Sequence, residues 1–265
     1  MNIREYIKVQ SLAEAYELNQ KKSSVVLGGC CWLRLSPNRL IGTAIDLSGL
    51  GLDQIEDTDS GIRLGCMTTL RQMETSPALA DLTQGALQSA LRHIVGVQFR
   101  NLATVGGSIC GRFGFSDIWT LFLVLDADVE LYHAGLMKLR EFADLGTTRD
   151  ILTHVILPKQ NRKIGYESLR LSETDFPVIS CAAAISANGV DCAIGARPQL
   201  AELVPGGQHM LQPGLTEQTI AEYARHVADS LHFGTNLRGS AAYRKDMAAV
   251  LCRRVLTKLA KGESR

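Results

Sequence analysis

The sequence predicts an α+β protein, and two observations lead there. Up to about residue 160, short β-branched runs alternate with segments of helical period. Beyond it come three successive strand-like runs and then two helical segments, so strands and helices segregate. The 265 residues are 46% hydrophobic and 21% charged, enough for two modest domains with a full core.

The elements follow in order. "SLAEAYEL" (11–18) reads as a short helix with Ser11 as its N-cap and Leu12, Ala15, Tyr16 and Leu18 on or near one face. "SVVL" (24–27) is a buried strand running into "GGCCW", and "TAIDLS" (43–48) and "IRLG" (62–65) are two more strands. In "TTLRQMETSP" (68–77), Thr69 and Gln72 make a capping box, and Pro77 is expected to end that helix. "GALQSALRHIV" (85–95) is a helix with Ala86, Leu87, Ala90, Leu91 and Ile94 on one stripe. A double-glycine loop follows. The run 118–125 is apolar all round and reads as a buried helix capped by Ser116 or Asp117. "ADVELYH" (127–133), "DILTHVILP" (150–158), "IGYESLRLS" (164–172) and "VISCAAAIS" (178–186) are strands. Asn188-Gly189 turns the last of them into "VDCAIGA", a hairpin. Residues 205–214 form a loop, and helices of about 216–230 and 240–260 close the chain.

Composition removes several classes of function. A net charge of +1 and 6% aromatic residues argue against a general nucleic-acid binder. Seven cysteines, an odd number with no CxxC, point to a reducing cytoplasm and against a zinc ribbon or an iron–sulfur cluster in this chain. No HxxxH pair offers a histidine metal site. "MNIREYIKVQ" lacks the apolar region of a signal peptide, and "IWTLFLVL" is too short to span a bilayer. No general-base histidine and no paired carboxylate converge, so no catalytic residue is expected.

Two glycine pairs remain, Gly28-Gly29 and Gly106-Gly107, each after a strand-like run. Glycine in an apolar region costs backbone entropy, so something there requires a bare backbone. Two readings stand: a tight turn, or a loop whose N–H groups face an anion such as a pyrophosphate. Neither pair continues into a phosphate-binding GK[ST], and neither is a Rossmann fingerprint. Other features also carry two readings. Asp117 is an N-cap or a ligand contact. Cys30-Cys31 is a pair of small buried residues or a redox pair. Trp32 is packing or a stacking platform. The basic run Arg238, Arg244, Lys245, Arg253, Arg254 and Lys258 is a solvated helix face or a docking surface.

At these residues a resemblance appears. "VVLGGCCWL" resembles the "AGGTDL"-type loop, and "LRHIVGVQFRNLATVGGSICGRFGFSD" the "IRN.ATVGGN"-type hallmark, of the FAD-binding subunit of molybdenum hydroxylases of the xanthine dehydrogenase and carbon monoxide dehydrogenase type. "TAIDLSGL", "IRLGCMTTLRQME" and "TNLRGSAAYRKDMAAVLCRRVL" are similar to that family as well, so the likeness covers nearly the whole chain.

The resemblance implies a two-lobed FAD-binding fold of the PCMH/vanillyl-alcohol-oxidase-like type over 1–160, with lobes of about 1–50 and 51–160. A smaller C-terminal α+β domain, a strand meander plus helices, would occupy 161–265. It implies noncovalent FAD and no metal in this chain. It also implies an iron–sulfur subunit and a molybdopterin subunit as partners, with NAD+ a common electron acceptor. This chain would be the electron-exit module of a cytoplasmic hetero-oligomer.

Carried over by position, Leu27, Gly28, Gly29, Cys30, Cys31 and Trp32 match the first phosphate loop. Thr104, Gly106, Gly107 and Ser108 match the second, with Cys110 beside it; Ile94 and Val95 match positions that line the flavin. Ser116 and Asp117 match a pair contacting the cofactor near its adenosine end, and Leu152 an apolar position lining the nucleotide. Departures are Cys30-Cys31 for a threonine and an acidic residue, Ser108 for an asparagine, "GRFGFSD" for a Ser-Pro turn, and Ser168 near a usual lysine. They motivate a second hypothesis, a scaffold subunit that kept the fold and binds FAD weakly or not at all.

Overall fold

The computed structural model describes residues 2–36, 38–212 and 214–262. Strand β1 (Asn2–Lys8) leads into helix α1 (Leu12–Asn19), whose cap Ser11 accepts the Glu14 N–H through Oγ at 3.2 Å. Strands β2 (Ser24–Leu27), β3 (Leu40–Asp46), β4 (Ile55–Asp57) and β5 (Gly61–Gly65) follow. Helix α2 (Leu70–Thr75) starts on the expected capping box: Gln72 N–H donates to Thr69 Oγ1 at 3.2 Å, and Thr69 N–H to Gln72 Oε1 at 2.8 Å. Helix α2 ends at Thr75, just ahead of Pro77, as expected. Pro77 also opens helix α3 (Pro77–Thr83) behind the cap Ser76, where a missing N–H costs nothing.

Helix α4 (Ala86–Leu91) stops short of its apolar stripe and leaves Ile94 outside, and the backbone is left-handed at Val95. Short helices α5 (Val97–Arg100) and α6 (Val105–Cys110) come next, so the second glycine pair lies in a helix rather than in a loop. Helix α7 (Asp117–Val124) is buried along its whole length, as its composition demanded, and its cap is Ser116. Then come β6 (Asp128–Leu131), β7 (Gly135–Lys138), α8 (Leu139–Asp144), β8 (Leu152–Pro158), β9 (Lys163–Arg170), β10 (Pro177–Ser186), β11 (Gly189–Gly195), β12 (Glu202–Leu203), α9 (Glu217–Ser230) and α10 (Ala241–Ala260). The loop expected over 205–214 contains a 3-10 turn, Gln208–Leu211.

The chain forms two compact units, discontinuous in sequence. The first comprises Met1–Met73, Val97–Gly111 and Asp126–Pro158; the second comprises Glu74–Gly96, Arg112–Leu125 and Lys159–Arg265. The boundary expected near 160 falls at one of the crossings, Pro158 to Lys159, and the chain also crosses at four other points.

In the first unit, β1 and β2 flank β3 in a parallel sheet, with α1 as the crossover. Its second sheet is antiparallel in the order β4-β5-β8-β6-β7. Helix α6 packs on β5 and β8 of that sheet.

The second unit is built on the antiparallel sheet β12-β11-β10-β9. Strand β10 is buried on both faces, which is why "VISCAAAI" reads as a continuous apolar run rather than an alternation. Ile179, Cys181 and Ala183 join the core with α9 and α10, while Ser180 faces α7 and meets Thr120 Oγ1 at 3.0 Å. Within the basic run read as a solvated face or a docking surface, Lys245, Arg253 and Arg254 are exposed and Arg244 is the exception. It is buried at 1% exposure, and its guanidinium donates to the Val178, Gly234 and Gly239 carbonyls and to Asn236 Oδ1.

Candidate cofactor-binding loops

The first glycine motif leaves the carboxyl end of β2 within the parallel sheet. Gly28, Gly29 and Cys30 are half-buried, and Cys30 sits in the left-handed region at φ +56°. Both thiols fold back on the loop, Cys30 Sγ toward the Gly28 carbonyl and Cys31 Sγ toward the Gly29 carbonyl, each at 3.4 Å. Among the described residues, no acceptor meets the N–H of Gly28, Gly29 or Cys30. Successive backbone N–H groups without acceptors are what an anion-binding cradle uses. Burial pushes both thiols above their ordinary pKa, so neither is a ready thiolate. Trp32 is packed, its ring 5.6 Å from that of Phe99.

The second motif starts α6. Every N–H of its first turn already has a partner: Val105 donates to the Thr68 carbonyl at 2.9 Å, Gly106 to the Cys66 carbonyl at 2.8 Å, Gly107 to Thr104 Oγ1 at 3.1 Å, and Ser108 to the Thr104 carbonyl at 3.0 Å. The expectation of two amide loops facing one anion therefore narrows to the first loop. What the second motif presents is the exposed Cα of Gly107, with Ser108 half-buried and Cys110 exposed beside it.

The glycines bring the two motifs together. A Cβ on Gly28 would lie 2.9 Å from Thr104 Oγ1 and 3.3 Å from the Gly107 Cα. One on Gly29 would overlap the Leu102 carbonyl oxygen and lie 2.9 Å from the Ala103 Cα; one on Gly106 would lie 2.6 Å from the Cys66 carbonyl oxygen. A Cβ on Gly107 would meet Thr104 Oγ1 alone, at 3.1 Å. Gly29 and Gly106 serve backbone-on-backbone packing, Gly28 faces the Thr104 side chain ahead of the Gly107 Cα, and Gly107 opens outward. This cradle fits an anionic cofactor: Gly28, Gly29 and Cys30 have N–H groups to give, and the loop behind them is fixed by packing.

The remaining expected residues are placed differently. Leu27 ends β2, and Leu152, buried, starts β8 opposite Leu131. Both belong to the first unit with the glycine loops, whereas Ile94, Val95, Ser116 and Asp117 belong to the second. Ser116 is spent on its helix, its Oγ accepting the Trp119 N–H at 3.4 Å. Asp117 is 4% exposed; its carboxylate accepts from Arg170 Nη2 at 2.6 Å and from the Tyr166 hydroxyl. Its side chain is thus turned onto protein partners. Burial works against the Arg170 charge, but Asp117 and Tyr166 more than offset it and hold the guanidinium protonated.

Reading the residues one by one did not find Tyr166 and Arg170. The signal was there: Tyr166, Ser168 and Arg170 alternate along β9 and so share one face. Arg170 Nε also donates to Ser168 Oγ at 3.1 Å, so a cation stands beside the position where the lysine was missing.

Val95 is β-branched, left-handed at φ +50° and 40% exposed, a combination that costs about 1–2 kcal/mol. Strain of this kind collects at ligand sites. Val95→Asn, which tolerates this conformation, is expected to raise stability by about 1 kcal/mol, or a few degrees in Tm by thermal denaturation. An unchanged or lower Tm would mean that the valine contacts outweigh the strain.

Comparison with known proteins fits this frame. Residues 1–160 match the family described as FAD binding domain in molybdopterin dehydrogenase, and residues 165–259 match the CO dehydrogenase flavoprotein C-terminal domain. The chain belongs to this flavoprotein family and has its two-domain α+β fold. It is 26% identical over 270 residues to the nicotine 6-hydroxylase medium subunit of Paenarthrobacter nicotinovorans, covering 95% of each chain. It is 25% identical to the uncharacterized protein YgfM of Escherichia coli K12, over 94% of this chain and 93% of that one. Among solved structures, quinoline 2-oxidoreductase from Pseudomonas putida 86 superposes with a TM-score of 0.87 at 21% identity, over 100% of this chain and 98% of that one. A carbon monoxide dehydrogenase from Hydrogenophaga pseudoflava gives 0.87 at 22%, over 98% of each.

Proposed function

We propose that this chain is the FAD-binding electron-transfer subunit of a molybdenum hydroxylase complex, receiving electrons from the [2Fe–2S] centres of a partner and delivering them to NAD+ or another acceptor. The cradle of Gly28, Gly29 and Cys30 carries this reading, because it supplies what a pyrophosphate needs and the protein leaves it unused. Family membership over 1–160 and the C-terminal match agree with it, and so does the name of the nicotine 6-hydroxylase medium subunit. In this reading residues 1–160 are the cofactor-binding domain, 161–265 the C-terminal domain, and the complex is cytoplasmic.

Bound FAD would supply the exchange between one-electron and two-electron carriers. The chain's own task is to hold and orient it. The amides of Gly28, Gly29 and Cys30 would bind the pyrophosphate, and the bare Cα of Gly107 would let the cofactor approach α6. Thr104 fixes that helix start. No residue of this chain is assigned a proton transfer.

The second reading, a scaffold without tight flavin binding, draws on the fully occupied amides of α6 and on the commitment of Asp117 to Arg170. One experiment separates the two. The purified chain, heated to release noncovalent cofactor, should yield close to one FAD per chain by absorbance, or take up added FAD to that level. A chain that arrives empty and takes up none is a scaffold.

A further inference from the structure

In the second unit the sheet runs past the helix that covers it. Odd-numbered residues of β9 and β10 face α10. A Cβ on Gly165 would meet Val255 and Leu259, Glu167 takes the Lys258 ammonium at 2.7 Å, and Cys181 and Ala183 lie in the core with α10. Lys163 and Ile185 are the next odd pair, directly opposite each other in the register. Helix α10 ends at Ala260, and beside its last turn the sheet carries a cleft of about 430 Å³. Lys163, Ile185, Leu259 and Ala260 line it, with Leu215 from the segment before α9. That volume lies in the range of small-molecule sites.

Floor and rim differ in chemistry. Leu259 is 3% exposed, and Ile185 and Leu215, half-buried, pack against the same core, so the floor is apolar and firm. Of the polar groups, Ser186 is spent on the β10–β11 turn, its Oγ accepting the Asn188 N–H at 3.2 Å. Lys163 and Asn161 are exposed at the rim, and neither side chain has a partner among the described residues. The neighbouring cations are matched: Arg162 with Asp191 at 3.0 Å, and Lys258 with Glu167. No carboxylate lines the cleft. An ammonium without a counter-charge and an amide donor therefore stand over an apolar floor.

We propose that this cleft binds a small monocarboxylate with an apolar body, a medium-chain or aromatic acid. The body would lie on Ile185, Leu215 and Leu259, and the carboxylate would accept from Lys163 Nζ and Asn161 Nδ2. Charge and area together select this class. A neutral amphiphile covers the floor but forfeits the charge-assisted hydrogen bond. Acetate keeps that bond but covers almost no apolar surface. A phosphate dianion brings two charges to one cation and leaves the second beside apolar walls. The site lies wholly in the second unit and uses no residue of the glycine loops, so it stands or falls apart from the proposed function.

The test titrates octanoate into the full chain, with the Ile and Leu methyl groups followed by NMR and stoichiometry by calorimetry. Expected are one octanoate per chain and saturable shifts at Ile185, Leu215 and Leu259. Octanamide, of the same length without the charge, and acetate should each bind about tenfold more weakly or worse. Lys163→Met should bring octanoate down to the level of octanamide at unchanged Tm, since the side chain is exposed, and Lys163→Arg should restore it. Ala260→Trp, at the exposed helix end, should fill the cleft and abolish both. Circular dichroism checks each variant, and the comparison of octanoate with octanamide needs none. No saturable shift at these three residues would overturn the proposal. Octanamide binding as tightly as octanoate, inorganic phosphate binding more tightly, or octanoate binding unchanged in Lys163→Met would do the same.

Discussion

Replacing Gly29 with alanine will destabilise the chain by about 3 kcal/mol or more, while the same change at Gly107 leaves stability within about 1 kcal/mol and weakens flavin retention. The difference lies in what each Cβ would meet. At Gly29 it overlaps the Leu102 carbonyl oxygen, with the Ala103 Cα at 2.9 Å, and both are backbone that cannot rotate aside. Either the first loop or the 102–103 segment must shift, and that opens the contact between the two glycine motifs. At Gly107 the only neighbour among the described residues is Thr104 Oγ1 at 3.1 Å, a side-chain atom that can give by a few tenths of an ångström. Alanine is also the better helix former there, by about 1 kcal/mol, since Gly107 lies inside α6. Its methyl group points outward, into the space where the cofactor is proposed to approach. Urea denaturation of apo protein and FAD titration separate the two effects. If Gly107→Ala binds FAD like wild type, α6 does not touch the cofactor. If Gly29→Ala melts like wild type, the packing of the two motifs is not the reason for that glycine.

The same comparison shows what the sequence could reveal. Caps were legible, because Ser11, Thr69 and Ser116 act through their own side chains within three residues. Buried α7 and the β10–β11 hairpin were legible through composition and the Asn188-Gly189 turn. Strand β1 was not: its residues are nearly all exposed, so "NIREYIK" shows no alternation, and only pairing with β3 makes it a strand. The end of α2 was legible from Pro77, but that the same proline opens α3 was not, because a proline forbids the preceding turn and only permits, without requiring, a following one. The glycine pairs were legible as places that require a bare backbone, yet their division of labour was not. That Gly29 faces Leu102 and Gly106 faces Cys66 is long-range packing, which no spacing encodes. Asp117 illustrates the same limit, since its partners lie 49 and 53 residues away on β9.

That pairing yields the second large effect. Asp117→Asn is expected to cost about 3–5 kcal/mol, because it leaves the Arg170 guanidinium, 7% exposed, without its counter-charge. An amide can still accept one hydrogen bond, so the loss is the uncompensated charge rather than the contact. Tyr166→Phe removes one hydrogen bond to a charged acceptor and should cost about 1.5–3 kcal/mol. Asp117→Leu combined with Arg170→Met should cost less than the sum of its single changes, since the pair leaves together and neither charge is stranded. Urea denaturation of wild type, Asp117→Leu, Arg170→Met and the double variant closes the cycle. The functional consequence follows from the geometry. If Asp117 serves only Arg170 and Tyr166, the double variant, once folded, retains FAD as wild type does. A double variant that is stable but loses FAD would restore Asp117 to the cofactor site, with the ion pair as the means of aiming it. A cycle with no coupling between Asp117 and Arg170 would deny the pair altogether.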